Sequence, residues 1–212
     1  MTVFYLHGFA SSPNSTKAAY FAERLAGHGV TLGCPDFNHP EFATLTLSRM
    51  LAQLQGELAS TSADPCTLVG SSLGGTLAIL AAAQFPEKVD RLVLLAPAVP
   101  QPGHHLLPPD RLDEWRRRGT LPFFHHGANA ERLLNYGFFE DSLRYNPFET
   151  TFAQPTLIFQ GLRDRSVDHH TVERFAGSRS NVRLSLLEDD HQLMASLPRI
   201  WHDVEAFLGM AK

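Results

Sequence analysis

The sequence is poor in cysteine: two in 212 residues, Cys34 and Cys66. Both sit in or beside apolar runs and read as buried free thiols, because a disulfide-framed secreted scaffold would be cysteine-dense. No C-x-x-C pair and no spaced Cys/His set points to structural zinc. A dominant charge is lacking too. The net charge of −4 leaves no electrostatic footprint for nucleic acid. No apolar run approaches the ~18–20 residues needed to cross a bilayer. The first run, Val3–Leu6, is too short for a signal peptide and has no basic flank before it. Internal repeats and low-complexity segments are absent. What remains is a soluble, cytoplasmic single-domain protein, monomer or homodimer, that meets a small molecule rather than a membrane or a nucleic acid.

Hydrophobic residues make up 43% of the chain and charged residues 19%, which suits a packed globular core. Apolar runs at 3–6, 30–35, 66–69, 89–96, 155–160 and 182–187 read as strands. The continuous apolarity of the first run suits a parallel strand buried on both faces. Helical patterns fall between the runs, at about 15–28, 44–60, 74–84, 168–176 and 194–208. In the second of these, Leu47, Met50, Leu51, Leu54 and Leu58 recur at spacings of three and four. Strict alternation of this kind builds a parallel sheet with helices on both faces. Residues 98–153 break the rhythm with prolines, two His pairs and many aromatics, and read as a lid inserted into the fold. Helical pieces are expected there near 110–118 and 129–135.

The chemistry centres on Gly70-Ser71-Ser72-Leu73-Gly74-Gly75. An apolar strand ends here, a helix begins, and Ser72 alone has glycine two places to either side. G-x-S-x-G between strand and helix forces its serine into a strained turn at a helix mouth, where N–H groups favour negative charge. A serine hydroxyl needs a base to take its proton, and a histidine held by a carboxylate is the usual pair. Downstream, Asp164 follows the fifth strand run and His191 the sixth. Asp168 is the competing acid, better placed as a helix N-cap. His169, His170 and His202 fall on helices.

These residues, with His7-Gly8-Phe9 after the first strand and Gly161-Leu162-Arg163-Asp164-Arg165-Ser166-Val167, resemble the α/β-hydrolase superfamily, and in particular compact bacterial serine carboxylesterases and acyl thioesterases. The resemblance covers residues 3–208 and is weakest across 98–153. It implies a mostly parallel six-stranded sheet of order 2-1-3-4-5-6 with a small helical lid. It further implies a catalytic triad of Ser72, Asp164 and His191, and an oxyanion hole from the backbone N–H groups of Phe9 and Leu73, with His7 itself structural. The implied reaction is hydrolysis of a small carboxylic ester or thioester through an acyl-enzyme, with no cofactor and no metal. The same triad would also serve an amidase, a C–C hydrolase or a perhydrolase, and a silent fold of this type could act as a binding module.

The inserted segment is rich in apolar side chains. Leu106, Phe123, Phe124, Phe138 and Phe139 are the candidates to line a pocket for an apolar acyl or aryl group. Arg116-Arg117-Arg118 reads as a solvated helix face, the other reading being contact with an anionic leaving group.

Overall fold

The computed structural model describes residues 1–61, 65–100 and 107–211. Six parallel strands form the main sheet: β1 (Val3–Leu6), β2 (Leu32–Gly33), β3 (Cys66–Ser71), β4 (Val89–Leu95), β7 (Thr156–Gly161) and β8 (Val182–Leu187). Their order is β2-β1-β3-β4-β7-β8. The numbering departs from 2-1-3-4-5-6 because the insertion contributes β5 and β6, a two-stranded sheet of its own.

Alternation along β1 explains the two-layer packing. Phe4 and Leu6 point to one face, with Leu68, and pack against α2 (Leu47–Ser60), α3 (Leu73–Gln84) and α6 (His169–Gly177). Val3 and Tyr5 point to the other, with Val69, and pack against α1 (Thr16–Ala26) and α7 (Leu197–Phe207). Strand residues of β1, β3 and β7 are buried throughout, as central parallel strands covered on both faces must be. α2 buries the five residues its spacing singled out, and Thr46 caps it by accepting from the Arg49 N–H. Ser15 caps α1 through the Ala18 N–H, so both of these helices begin at a side chain that satisfies an otherwise unpaired donor.

β2 is shorter than expected from residues 30–35. Pro35 has no N–H to continue a ladder, and a side chain at Gly33 would collide with the Phe4 ring. Among the described residues, no helix is long and apolar enough to cross a membrane.

The insertion is not wholly helical. α4 (Pro109–Arg118) forms as expected and ends at Gly119, whose φ of 73° closes the turn. Residues 129–135 do not form a helix. They lie largely in strand β6 (Ala130–Asn135), antiparallel to β5 (Thr120–His125), and α5 (Gly137–Ser142) follows. Glu131, Arg132, Leu133 and Leu134 are good helix formers, but pairing with the Phe-rich β5 outweighs that local preference. Leu106 and the His104-His105 pair lie outside the described residues.

Candidate active site

The turn between β3 and α3 holds Ser72 at φ 54°, ψ −115°, a conformation that costs a non-glycine residue on the order of 1–3 kcal/mol. Surrounding bonds over-determine it. The Ser72 N–H donates to Leu95 O at 2.9 Å, and its carbonyl accepts from the N–H groups of Gly75 (2.9 Å) and Ala98 (3.1 Å). The flanking glycines are required by close approach, since a Cβ at Gly74 would run into the Leu6 carbonyl and one at Gly70 into Gly74. Ser71 is buried, with its hydroxyl bonded to Tyr5, so it is not the exposed serine of the pair.

The loop after β1 lies against this turn. A Cβ on Gly8 would sit 3.4 Å from Ser72 Cβ and 3.2 Å from Ser71 O, which sets Phe9 beside the serine. His7 is 3% exposed and braces the loop. Its Nδ1–H donates to Gly8 O at 2.9 Å, and Nε2 accepts from the Phe37 N–H at 3.1 Å. Phe37 can only donate there, which defines the tautomer. Burial pushes the His7 pKa down, with the Gly8 hydrogen bond only partly offsetting it. The 3.6 Å approach to Asp36 is therefore not an ion pair. Leu73 is the first residue of α3 and its N–H has no acceptor within the helix. Phe9 follows Gly8 in this loop, and Leu73 follows Ser72 in the turn.

Asp164 and His191, 27 residues apart, meet across the ends of β7 and β8. His191 Nδ1 donates to Asp164 Oδ2 at 2.7 Å. The Asp164 side chain is fully buried. Oδ1 accepts from the N–H groups of Ser166 (2.8 Å) and Val167 (2.9 Å), and Oδ2 also accepts from Gln160 Nε2 (2.9 Å). Burial alone would raise its pKa, but the hydrogen bonds from His191, Val167 and Ser166 together outweigh it and hold the carboxyl below its ordinary value. Gly161 lets the two loops approach, since a Cβ there would lie 2.5 Å from Asp189 O. Asp168 caps α6, accepting from the His170 and Thr171 N–H groups. Asp189 accepts from the Ser196 N–H at 2.9 Å and Asp190 from Gln192 at 2.8 Å, so both acids brace the histidine loop.

The aromatic candidates separate. Phe9 is ringed by Phe42, Phe123 and Phe138 at centroid distances of 5.6, 5.4 and 5.4 Å. Trp115 packs on Phe123 at 5.1 Å and on Phe139 at 6.5 Å. Phe124 does not join them. Strand alternation turns it to the outer face of the hairpin, where it is 50% exposed with its ring against His126. Phe42 is a wall residue that sequence reasoning missed, because it lies in a short turn without periodicity. Arg116, Arg117 and Arg118 are exposed, with Arg118 paired to Glu114. A groove of about 320 Å³ between Asp36, His39, Glu41, His125 and Arg132 contains none of Ser72, Asp164 and His191. The arrangement of Ser72, Asp164 and His191, not that groove, locates the candidate site.

Lys17 was also not legible in the sequence. It is 8% exposed. Burial lowers its pKa to about 8, against the opposing pull of Asp164, Asp190 and Asp189. A lysine whose folded pKa lies below its unfolded value binds fewer protons when folded between about pH 8 and 10.5, so its linkage raises stability as pH rises through that window. At neutral pH the charge costs up to about 3 kcal/mol. Lys17→Met is therefore expected to be more stable than wild type at pH 7, by an amount that shrinks toward pH 10. Urea midpoints across pH 7–10 check this, and a variant less stable at pH 7 contradicts it. Cys66, pushed up to about 11 by burial, works in the opposite direction above pH 9 but is common to both proteins.

The fold and the arrangement around Ser72 define an α/β-hydrolase. The chain belongs to the uncharacterised protein family UPF0227, whose model matches residues 2–201. The monoacylglycerol lipase abhd6-B of Xenopus laevis is 31% identical to it over 223 residues, with 99% of this chain and 63% of the relative covered. The mitochondrial palmitoyl-protein thioesterase ABHD10 of Mus musculus is 28% identical over 181 residues, covering 78% of this chain and 59% of the relative. A mouse sn-1-specific diacylglycerol lipase, ABHD11, is 36% identical over 110 residues, covering 49% and 36%. The chain thus spans between about a third and two thirds of these relatives' lengths. Among solved structures, Est1E from Butyrivibrio proteoclasticus with ferulic acid bound superposes with a TM-score of 0.82 at 20% identity, covering 98% of this chain and 87% of that one.

Proposed function

We propose that this chain is a serine hydrolase that cleaves a carboxylic ester or thioester with an apolar acyl or aryl group through an acyl-enzyme. The observation that carries the proposal is the 2.7 Å hydrogen bond from His191 to the buried Asp164, both beyond the carboxyl ends of parallel strands, as is the serine held at positive φ. Ser72 Oγ attacks the carbonyl carbon while its proton passes to His191 Nε2. The oxyanion is held by the Phe9 and Leu73 N–H groups, each worth ~10²–10³ in rate in such holes. Collapse expels the alcohol or thiol with the proton from His191. Water then repeats the cycle and frees the acid. Residues 98–153 serve as the lid. Phe123 and Phe138, with Phe9, form the apolar wall beside the oxyanion donors, and Phe139 supports it through Trp115. The lipase and thioesterase names of the relatives favour an acyl ester or thioester over an amide.

A fluorophosphonate probe is expected to label the wild type and not Ser72→Ala. Absence of wild-type labelling would favour a non-catalytic binding module. On a series of p-nitrophenyl and acyl-CoA esters, kcat/KM is expected to rise from acetyl to longer or aromatic acyl groups. A maximum at acetate contradicts the apolar wall.

A further inference from the structure

Gln160 is the penultimate residue of β7, next to the buried Leu157, Ile158 and Phe159, and is itself fully buried. Its Nε2 donates to Asp164 Oδ2 at 2.9 Å, with the carbonyl oxygens of Val167 (3.2 Å) and Gly161 (3.3 Å) also in reach. Its Oε1 is buried without a hydrogen-bond partner among the described residues. The amide cannot turn over to relieve this, since Oε1 would then face a carboxylate and two carbonyls. An unpartnered buried acceptor costs on the order of 1–3 kcal/mol, which an apolar side chain of the same length would avoid. The one strong bond this amide makes is to the Asp164 carboxylate, so that contact is the reason for a glutamine here.

We propose that Gln160 is a positioning residue for the catalytic acid, an inference that rests on the triad reading above. Asp164 Oδ2 is the oxygen that receives the His191 N–H, and Gln160 supplies its second donor, while Ser166 and Val167 N–H groups occupy Oδ1. Four donors fill the four acceptor directions of the carboxylate. The carboxylate then cannot swivel about its terminal torsion, and a proton on Oδ2 would have to displace one of its donors. Asp164 stays ionised and aimed, and it in turn keeps the imidazole of His191 in one orientation and one tautomer. Without the Gln160 N–H, Oδ2 is free to leave the imidazole plane. Proton transfer then suffers, whereas substrate binding by the aromatic wall does not.

The test is Gln160→Met, which keeps length while removing both the donor and the unpartnered acceptor, assayed with the preferred p-nitrophenyl ester. The expected result is a kcat lower by at least about 10-fold with a KM within about twofold, in a protein that still unfolds cooperatively. In an Asp164→Asn background, followed by the rate of fluorophosphonate labelling, Gln160→Met is expected to cost less than about twofold, since no acid remains to be positioned. Wild-type kcat in Gln160→Met, or an equal loss in both backgrounds, overturns the proposal. If Gln160→Met does not fold cooperatively, Gln160→Glu places a second carboxyl group against Asp164. The same kcat loss with KM kept is then expected, and wild-type kcat is the contrary result. Undiminished activity in Ser72→Ala would instead show that the triad reading itself had failed.

Discussion

Replacing Ser72 by alanine is expected to lower kcat by about 10⁴- to 10⁶-fold, and Asp164→Asn by about 10⁴-fold. In the proposed mechanism the first change removes the atom that forms the acyl-enzyme. The second keeps the shape of the acid but removes the charge that would stabilise the imidazolium of His191. The two losses are not additive, because the side chains act as one unit. Ser72→Gly gives a companion result on stability. It is as inactive as Ser72→Ala, but glycine carries no penalty at φ 54°. Its unfolding free energy is expected to exceed that of Ser72→Ala by about 1 kcal/mol. Activity assays with denaturant titrations of the two variants check both statements. Equal stability of the two would mean that the turn stores no strain.

Gly74→Ala is expected to be the most damaging small change in the fold. The added methyl would meet the Leu6 carbonyl and the His7 carbonyl, both backbone atoms at the end of β1 that cannot rotate away. α3 would have to move off the sheet, and nearly every residue of its first three turns is buried. A loss of at least about 3 kcal/mol is expected, equivalent to a Tm lower by about 6–12 °C for a domain of this size. Activity falls with it, since the same shift carries Leu73 and Ser72 away from Phe9. A calorimetric scan settles the outcome, and a Tm within 2 °C of wild type contradicts the packing argument. Gly56, by contrast, has open space where its Cβ would lie, so Gly56→Ala in exposed mid-helix is a suitable control.

Much of this was legible in the chain. Central parallel strands buried on both faces are mostly apolar, so β1, β3 and the second half of β4 announce themselves, and α2 shows its buried stripe through spacings of three and four. The Gly70–Gly74 spacing is legible because close backbone approach admits only glycine. Ser72, Asp164 and His191 are legible as polar residues where apolar runs stop, and Asp168 as a helix cap.

Tertiary structure alone decided the remainder. Residues 130–135 have helical propensity and become a strand only because β5 is there to pair with them. Phe123 and Phe124 are chemically identical neighbours, and hairpin register sends one toward Phe9 and the other toward solvent. β2 keeps only Leu32 and Gly33, and Gly33 lies where the ring of Phe4 from the neighbouring strand leaves no room for a side chain. No local pattern reveals that Gln160 will meet Asp164 or that Lys17 will be buried near Asp164, Asp189 and Asp190. Periodicity and turn chemistry are local and survive in the sequence. The direction of a side chain across strands, and the partner it finds 27 residues away as His191 finds Asp164, exist only once the sheet has assembled.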